Sequence, residues 1–429
     1  MSAPGRELLS EDLAAVVPGL PLTRGLGRSY GDSALPPPGA DRVAGSRLAD
    51  RILAFDPGTG RLRAEAGLAL QALVWSFLPR GWFPPVVPGT QFVTLGGMVA
   101  ADVHGKNHHV AGTIGRHIEA LRLRLASGET VECSRTEHAD LFRATLGGMG
   151  LTGHILEVEL RLVRVPSPWI VQEAFRVADI EAFLAALRES ARAWPFTMGW
   201  IDCLARGAAL GRGVVMRGRW AEAGEALPRP PAPLRRLTIP FLFPGFALND
   251  LTVRLFNAVY LRLHPRRIRC ALVHPEKFFF PLDAVRHWNR IYGRRGFTQF
   301  QCVLPEAERP GAVRRFLELA VREGGSSFLC VLKDCGAEGE GTLSFPRPGV
   351  SVALDLPIRP GLAGLVDRLA AATAAEGGRI YLAKDSLLGA ERFRELEPRL
   401  SAFDAVRRRY DPERRLRSAQ SVRLMGDPP

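Results

Sequence analysis

The 429-residue chain is 46% hydrophobic and 24% charged, an ordinary globular balance long enough for two or three domains. Its 57 Lys and Arg against 44 Asp and Glu leave a formal charge of +13, which favours anionic partners without choosing among nucleic acid, acidic lipid and phosphorylated ligands. The six cysteines, at 133, 203, 270, 302, 330 and 335, form no C-x-x-C pair and no zinc spacing, so they fit a reducing compartment or buried thiols.

The first residues, M-S-A-P-G-R-E-L-L-S-E-D, carry early acids and lack the apolar run of a signal peptide. No apolar run reaches the roughly 18 residues of a membrane span. The nearest, 237–261, is broken by Pro240, Pro244, Asp250 and Arg254. A cytoplasmic protein is expected, soluble or peripheral at the inner face of the plasma membrane.

Residues 121–125, L-R-L-R-L, alternate strictly; a Ser127-Gly128 turn and T-V-E-C at 130–133 complete a predicted hairpin. Residues 137–146 read as a helix stopped by Gly147-Gly148, and 156–162 as a half-buried strand. A mixed α+β domain follows from this order. Residues 227–233, L-P-R-P-P-A-P, form a stiff linker or loop, followed by Arg235, Arg236 and the aromatic stretch 241–246. A weak repeat then appears. Strand 299–304, helix 312–322, Gly324-Gly325 and strand 327–332 end at Lys333; strand 350–356, helix 362–375, Gly377-Gly378 and strand 379–383 end at Lys384. Such units lay helices over one face of a sheet. The basic tail, with arginines at 407–409 and 414–417, reads as a solvated face, and no nucleic-acid-binding motif accompanies it.

Three segments carry chemistry. T-R-G-L-G-R-S-Y-G-D at 23–32 lets backbone N–H groups close on an anion such as a diphosphate, with Arg28 adding charge; a plain glycine-rich turn is the alternative. G-M-G-L-T-G at 148–153 matches a nucleotide fingerprint, but a helix precedes it and a strand follows, so the glycines read as structural. Residues 88–109 combine glycines at 89, 96, 97 and 105 with His104, Lys106, Asn107, His108 and His109. That suits a flat ligand beside polar groups; no metal is expected, since H-E-x-x-H and a carboxylate triad are both missing. Lys333 and Lys384, at equivalent strand ends, could converge on one cleft, although a strand-end lysine ordinarily meets solvent.

R-G-L-G-R-S-Y-G-D at 24–32, P-G-T-x-x-V-T-L-G-G at 88–97, D-V-H-G-K-N-H-H at 102–109 and L-G-G-M-G-L-T-G at 146–153 together resemble the decaprenylphosphoryl-β-D-ribose 2-oxidase family, within the vanillyl-alcohol-oxidase superfamily. F-F-F-P-L-D at 278–283, W-N-R-I-Y-G-R-R-G-F at 288–297 and A-K-D-S at 383–386 extend the likeness from about residue 20 onward. The resemblance implies an α+β fold. A two-part PCMH-type FAD-binding domain (1–165 and the return, 379–429) would frame a substrate domain (166–378) with an antiparallel sheet covered by helices.

It also implies site residues. Thr23, Arg24, Gly25, Leu26, Gly27, Arg28, Ser29, Tyr30, Gly31, Asp32 and Ser33 would wrap the FAD diphosphate. Gly89, Thr94, Leu95, Gly96, Gly97, Ala101, Asp102, Val103 and His104 would line the cofactor, with Ile155 at its adenine side and Tyr381 against the flavin. Gln299, Gln301 and Lys333 would line the substrate pocket, and Lys384, or second His104, would act as base. FAD would be non-covalent, since Tyr30 stands where covalent relatives carry a histidine. The family's G-W-G-R motif ahead of Thr23 is missing, which would leave the adenine end less complete. Ala353 replaces a cysteine of mycobacterial members, so insensitivity to inhibitors that modify that thiol is expected.

The implied reaction takes hydride from an alcohol carbon to flavin N5, at C2 of a polyprenyl-phosphate pentose. A quinone or O₂ as electron acceptor, a partner reductase completing a 2-epimerisation and an anionic membrane surface would accompany it, and nucleic acid would not. Two alternatives remain: a soluble alditol or aldonolactone oxidase, and a non-catalytic basic lipid- or nucleic-acid-binding protein.

Overall fold

Strict alternation in the N-terminal part produces a five-stranded antiparallel sheet. Its strands are β1 (Ile52–Asp56), β2 (Arg61–Glu65), β3 (Ile118–Arg124), β4 (Thr130–Ser134) and β5 (His154–Arg161), in the order β1-β2-β5-β3-β4. The computed structural model describes residues 4–245, 249–324, 327 and 329–429. Met1, Ser2 and Ala3 of the N-terminal run, Phe246 of the aromatic stretch, and Gly325 and Phe328 of the first repeat lie outside these residues.

One face of this sheet buries Leu62, Ala64, Leu121, Leu123, Val158 and Leu160 against helices α1 (Leu70–Phe77), α2 (Leu95–Ala100) and α3 (Ala139–Thr145). On the other, cross-strand ion pairs alternate: Arg61 with Glu119 and Glu159, and Arg63 with Glu132 and Glu157. The expected hairpin is β3–β4, paired Ala120 to Ser134 through Arg124 to Thr130. A small parallel sheet joins Arg6–Leu9, Arg42–Gly45 and Thr23–Arg24, anchoring the start of the glycine-rich loop.

The second sheet has eight strands. They are β6 (Ile170–Val177), β7 (Phe196–Ile201), β8 (Gly213–Trp220), β9 (Arg269–Val273), β10 (Phe297–Leu304), β11 (Cys330–Cys335), β12 (Gly349–Pro357) and β13 (Arg379–Ile380), in the order β9-β6-β8-β7-β11-β12-β10-β13, with antiparallel pairing throughout. Helices α4 (Ile180–Ala193), α6 (Ala312–Arg322) and α7 (Leu362–Ala375) pack their apolar faces on it, forming one core with Phe183, Phe300, Phe316 and Leu369. Helix α5 (Asp250–Leu263) lies in the 221–268 excursion between β8 and β9. Of the C-terminal helices, α9 (Leu400–Tyr410) packs Phe403 with Ala144 and Leu151 of the N-terminal part, whereas α8 (Ala390–Leu396) and α10 (Ala419–Met425) add Phe393, Leu396 and Leu424 to the core of the second sheet. The fold is α+β, with an antiparallel sheet covered by helices.

The structure corrects four local expectations. Residues 379–383 are not a full strand: β13 stops at Ile380, and a 3₁₀ turn over Leu382–Lys384 follows as Tyr381 O accepts from Lys384 N at 2.9 Å. Lys333 lies inside β11, opposite Ser351, rather than at its end. The aromatic and basic stretch 235–269, for which a loop is expected, contains α5, started by a reciprocal cap between Asn249 and Thr252. Arg407, assigned to a solvated face, is 1% exposed and donates to Asp427 at 2.8 Å and to the Leu416 carbonyl.

Candidate active site

Between the two sheets lies a cleft of about 1570 Å³, beyond the roughly 300–1,000 Å³ of ordinary small-ligand pockets and so roomy enough for a large cofactor with a substrate beside it. One wall is the glycine-rich loop: Thr23, Gly25, Leu26, Gly27, Arg28, Ser29, Tyr30 and Ser33 face the cavity. Gly27 has φ +60°, a left-handed turn that needs glycine. Gly31 packs so closely that a Cβ would sit 1.7 Å from the Asp385 carbonyl oxygen. The loop is thereby locked onto the turn bearing Lys384. Gly89, Thr94, Gly96, Gly97, Ala101, Val103, His104 and Ile155 extend the same wall, and the Thr94 hydroxyl caps α2 by accepting from Gly97 N at 3.1 Å. Arg28 and Arg236 flank the Phe92 ring at 5.6 and 4.4 Å, so two guanidiniums border this wall.

Gln299, Gln301, Lys333, Tyr381 and Lys384 line the opposite side, with Met198, Trp200, Ser351 and Ala353. Gln301 Nε2 donates to His104 Nε2 at 2.9 Å and to Ser351 Oγ at 3.1 Å. That bond puts the proton of a neutral His104 on Nδ1, a buried atom with no partner among the described residues. Burial, reinforced by Lys333, pushes His104 well below the usual imidazole range, so it stays neutral. The Tyr381 hydroxyl donates to the Ala101 carbonyl at 3.0 Å, and its ring lies 5.0 Å from that of His104.

Lys384 Nζ stands 3.9 Å from the centre of the Tyr30 ring, and Tyr30 N donates to the Ala383 carbonyl at 3.0 Å. Burial depresses Lys384 to about 7, with Asp355 opposing and Lys333 adding to the shift. Lys106 also reaches about 7, by burial and then Lys333, and burial lowers Lys333 itself. Asp355, raised to about 6 by burial, accepts from Gln299 Nε2 and from the Tyr292 hydroxyl. The cleft thus gathers three partly buried amines, and two of them, Lys384 and Lys106, can change charge near neutrality.

Five residues assigned to the cofactor by resemblance turn away from the cavity. Arg24 donates to the Ala34 carbonyl at 2.9 Å, and Leu95 is sealed in the first core. Asp102, wholly buried, accepts from Gly115 N and the Ser344 hydroxyl. Gly31 packs on Asp385, and Asp32 accepts from Arg423 at 2.7 and 2.9 Å. Arg423, on α10, also reaches Asp385 at 2.8 Å, tying the glycine loop and the Lys384 turn together. Sequence reasoning passed over Arg423 and Asp355, which carry no local signal. It also left Lys106 out of the site although it stands in the H-G-K-N-H-H run. Lys106 Nζ donates to the Phe278 carbonyl and lies 4.5 Å from that ring.

Comparison with known proteins decides what this cleft belongs to. The FAD-binding domain family matches residues 17–134, which include the glycine loop and α2. Decaprenylphosphoryl-β-D-ribose oxidase of Mycolicibacterium smegmatis is 34% identical over 418 residues, 94% of this chain and 88% of that one. The chain belongs to the decaprenylphosphoryl-β-D-ribose oxidase family. It is an FAD-dependent oxidoreductase. Within the same comparisons, an uncharacterised Streptomyces coelicolor protein encoded 5′ of mprA is 35% identical over 80% of this chain and 96% of its own. L-gulonolactone oxidase of Scyliorhinus torazame is 32% identical over 27% of this chain and 26% of its own. The family's cofactor suits the cleft: main-chain amides of the glycine loop and Arg28 match a diphosphate, and the His104 Nδ1 proton is left for a bound group. Among the described residues, no three His, Cys, Asp or Glu gather as metal ligands.

Proposed function

We propose that the protein oxidises a secondary alcohol of a sugar carried on a polyprenyl phosphate, at C2 of a pentose, to a ketone. The observation that carries this reading is Lys384: a partly buried amine near neutrality, held on Tyr30 beside the glycine loop and within the same cleft as Gln301 and Lys333. Bound FAD supplies the hydride acceptor, N5 of its isoalloxazine ring. As the neutral amine, Lys384 Nζ takes the hydroxyl proton of the substrate. His104 is the weaker base, because its Nε2 lone pair already accepts from Gln301; its Nδ1 proton instead orients a bound oxygen. Lys106 and Lys333 hold the anionic part of the substrate, and Gln299, fixed by Asp355, hydrogen-bonds the sugar.

In this reading residues 1–165 and 379–429 hold the cofactor and 166–378 the substrate. FAD is dissociable, since Tyr30 offers no covalent attachment through imidazole. The product ketone goes to a separate reductase, which completes a 2-epimerisation, and a quinone takes up the electrons at the inner face of the plasma membrane. No helix among the described residues is long and apolar enough to cross a membrane. The match to L-gulonolactone oxidase favours, as a second reading, a soluble alditol or aldonolactone oxidase. Anaerobic bleaching of bound flavin separates the two. Polyprenyl-phosphate pentoses should bleach it and free polyols and lactones should not; the reverse pattern would replace the first reading with the second.

A further inference from the structure

The 237–269 segment has a surface unlike the rest of the molecule. Leu237, Phe241, Leu251, Leu255 and Leu263 are 75%, 61%, 76%, 65% and 75% exposed, and Val259 and Ile268 are exposed beside them. Helix α5 is held by its other face: Val253 and Asn257 are buried, Asn257 Nδ2 donates to Asp202 Oδ1 at 2.6 Å, and Tyr260 packs 4.7 Å from Trp200. Leu251, Leu255 and Val259 recur every four residues on the opposite side, so an apolar stripe is presented on purpose-built helical geometry rather than scattered. Arg254, Arg262, Arg266, Arg267 and Arg269 border it, all exposed, against Asp250 as the one acidic residue in 249–269. The stripe also adjoins the mouth of the cleft, where Leu242, Phe256 and Tyr260 line the cavity.

A second copy of this chain does not suit that face. A twofold contact would set five arginines against the same five arginines with one aspartate each to offset them. Nor is α5 a membrane span: at 14 residues it is shorter than the roughly 20 a bilayer requires. An apolar stripe with an arginine border is the pattern of a helix lying in the plane of an anionic membrane surface, with leucines among the upper acyl chains and guanidiniums at the phosphates.

We infer that residues 237–242 and α5 form a docking face for an anionic lipid bilayer, and that the cleft opens next to the docked surface. This deepens the lipid-phosphate reading above and rests on it for the nature of the substrate, though not for the binding itself.

The test is vesicle flotation of the FAD-loaded full chain, using phosphatidylcholine with and without phosphatidylglycerol. The protein should float with the phosphatidylglycerol vesicles, less so at high salt and poorly with phosphatidylcholine alone. Leu255→Glu with Val259→Glu should weaken binding by at least about tenfold. Both residues lie outside the cleft, so the flavin spectrum, and its bleaching by detergent-dispersed substrate, should stay as in the parent protein. Failure to float with anionic vesicles, or equal flotation of the double variant, would overturn the inference. So would a dimer in solution that the same substitutions dissociate. Vesicle binding lost in the variant, with no bleaching of either protein by any lipid-phosphate sugar, would sink the substrate reading and leave the docking face standing.

Discussion

In the proposed mechanism Lys384 works as a base because desolvation favours its neutral form, not because a carboxylate activates it. With its value lowered to about 7, the neutral fraction grows as pH climbs through 7. Flavin reduction by substrate should therefore rise over that range and level off above it, as followed by anaerobic stopped-flow absorbance. Lys384→Met should lower the plateau by roughly 10²–10⁴-fold and abolish the rising limb while FAD stays bound. In the same proposal Lys333 holds substrate instead of moving a proton. Lys333→Met should raise KM for a phosphorylated substrate by about tenfold or more with a smaller change in kcat, a split that steady-state kinetics reads directly. These lysines were legible only in part. The repeat in 297–384 drew attention to Lys333 and Lys384, but Lys106 sat unassigned in a histidine-rich run, and nothing local announces that Asp355 is buried opposite Tyr292 and Gln299.

At the level of elements, the cofactor loop and the Lys384 turn are a single device. Gly31 packs against the Asp385 carbonyl, Tyr30 N bonds the Ala383 carbonyl, and Arg423 of α10 clamps Asp32 and Asp385 from behind. Arg423 is a positioning residue. Arg423→Met should cost roughly 2 kcal/mol of stability, measured by denaturant unfolding, and weaken FAD binding. It should also move the pH limb of flavin reduction upward, since a loosened Lys384 regains water, and Arg423→Lys should restore part of each effect. Arg407→Met provides the contrast. Its buried pair with Asp427 lies in the same C-terminal region, and breaking it should cost about 3–5 kcal/mol while leaving the pH limb of the folded enzyme in place. The sequence reading handled periodic elements well: the hairpin, α3, α6 and α7 stand where alternation and helical spacing put them. It failed where tertiary contacts decide. β13 is cut short by the 3₁₀ turn over Leu382–Lys384, which carries Lys384 to the Tyr30 ring. Arg407 is drawn inside by an aspartate twenty residues away, and α5 hid in a run whose aromatic residues masked its Asn249 cap.

On the scale of the whole molecule, two sheets with helices packed on them flank a cleft of about 1570 Å³, and in the proposed function both walls take part in the chemistry. The glycine loop and α2 form one wall, and opposite it β10 presents the amides of Gln299 and Gln301, β11 the amine of Lys333 and β12 the hydroxyl of Ser351. Fold class was readable from patterning and resemblance, because alternating strands and glycine turns are local signals. Which glycine-loop side chains face the cleft was not: Arg24 and Asp32 lie within the motif, yet both serve to brace it. Ala353 lines the cleft, so Ala353→Cys should create a site for thiol-modifying inhibitors, detected as a stoichiometric adduct by intact mass, whereas the parent protein should take up none there.

In the proposed function this cleft holds FAD in a non-covalent main-chain cradle. Titration of flavin-free protein with FAD, followed by acid precipitation, tests it most directly. Uptake should saturate at one FAD per chain, and the pellet should be colourless with all flavin in the supernatant. A protein that takes up no flavin, or a pellet that stays yellow, would contradict it.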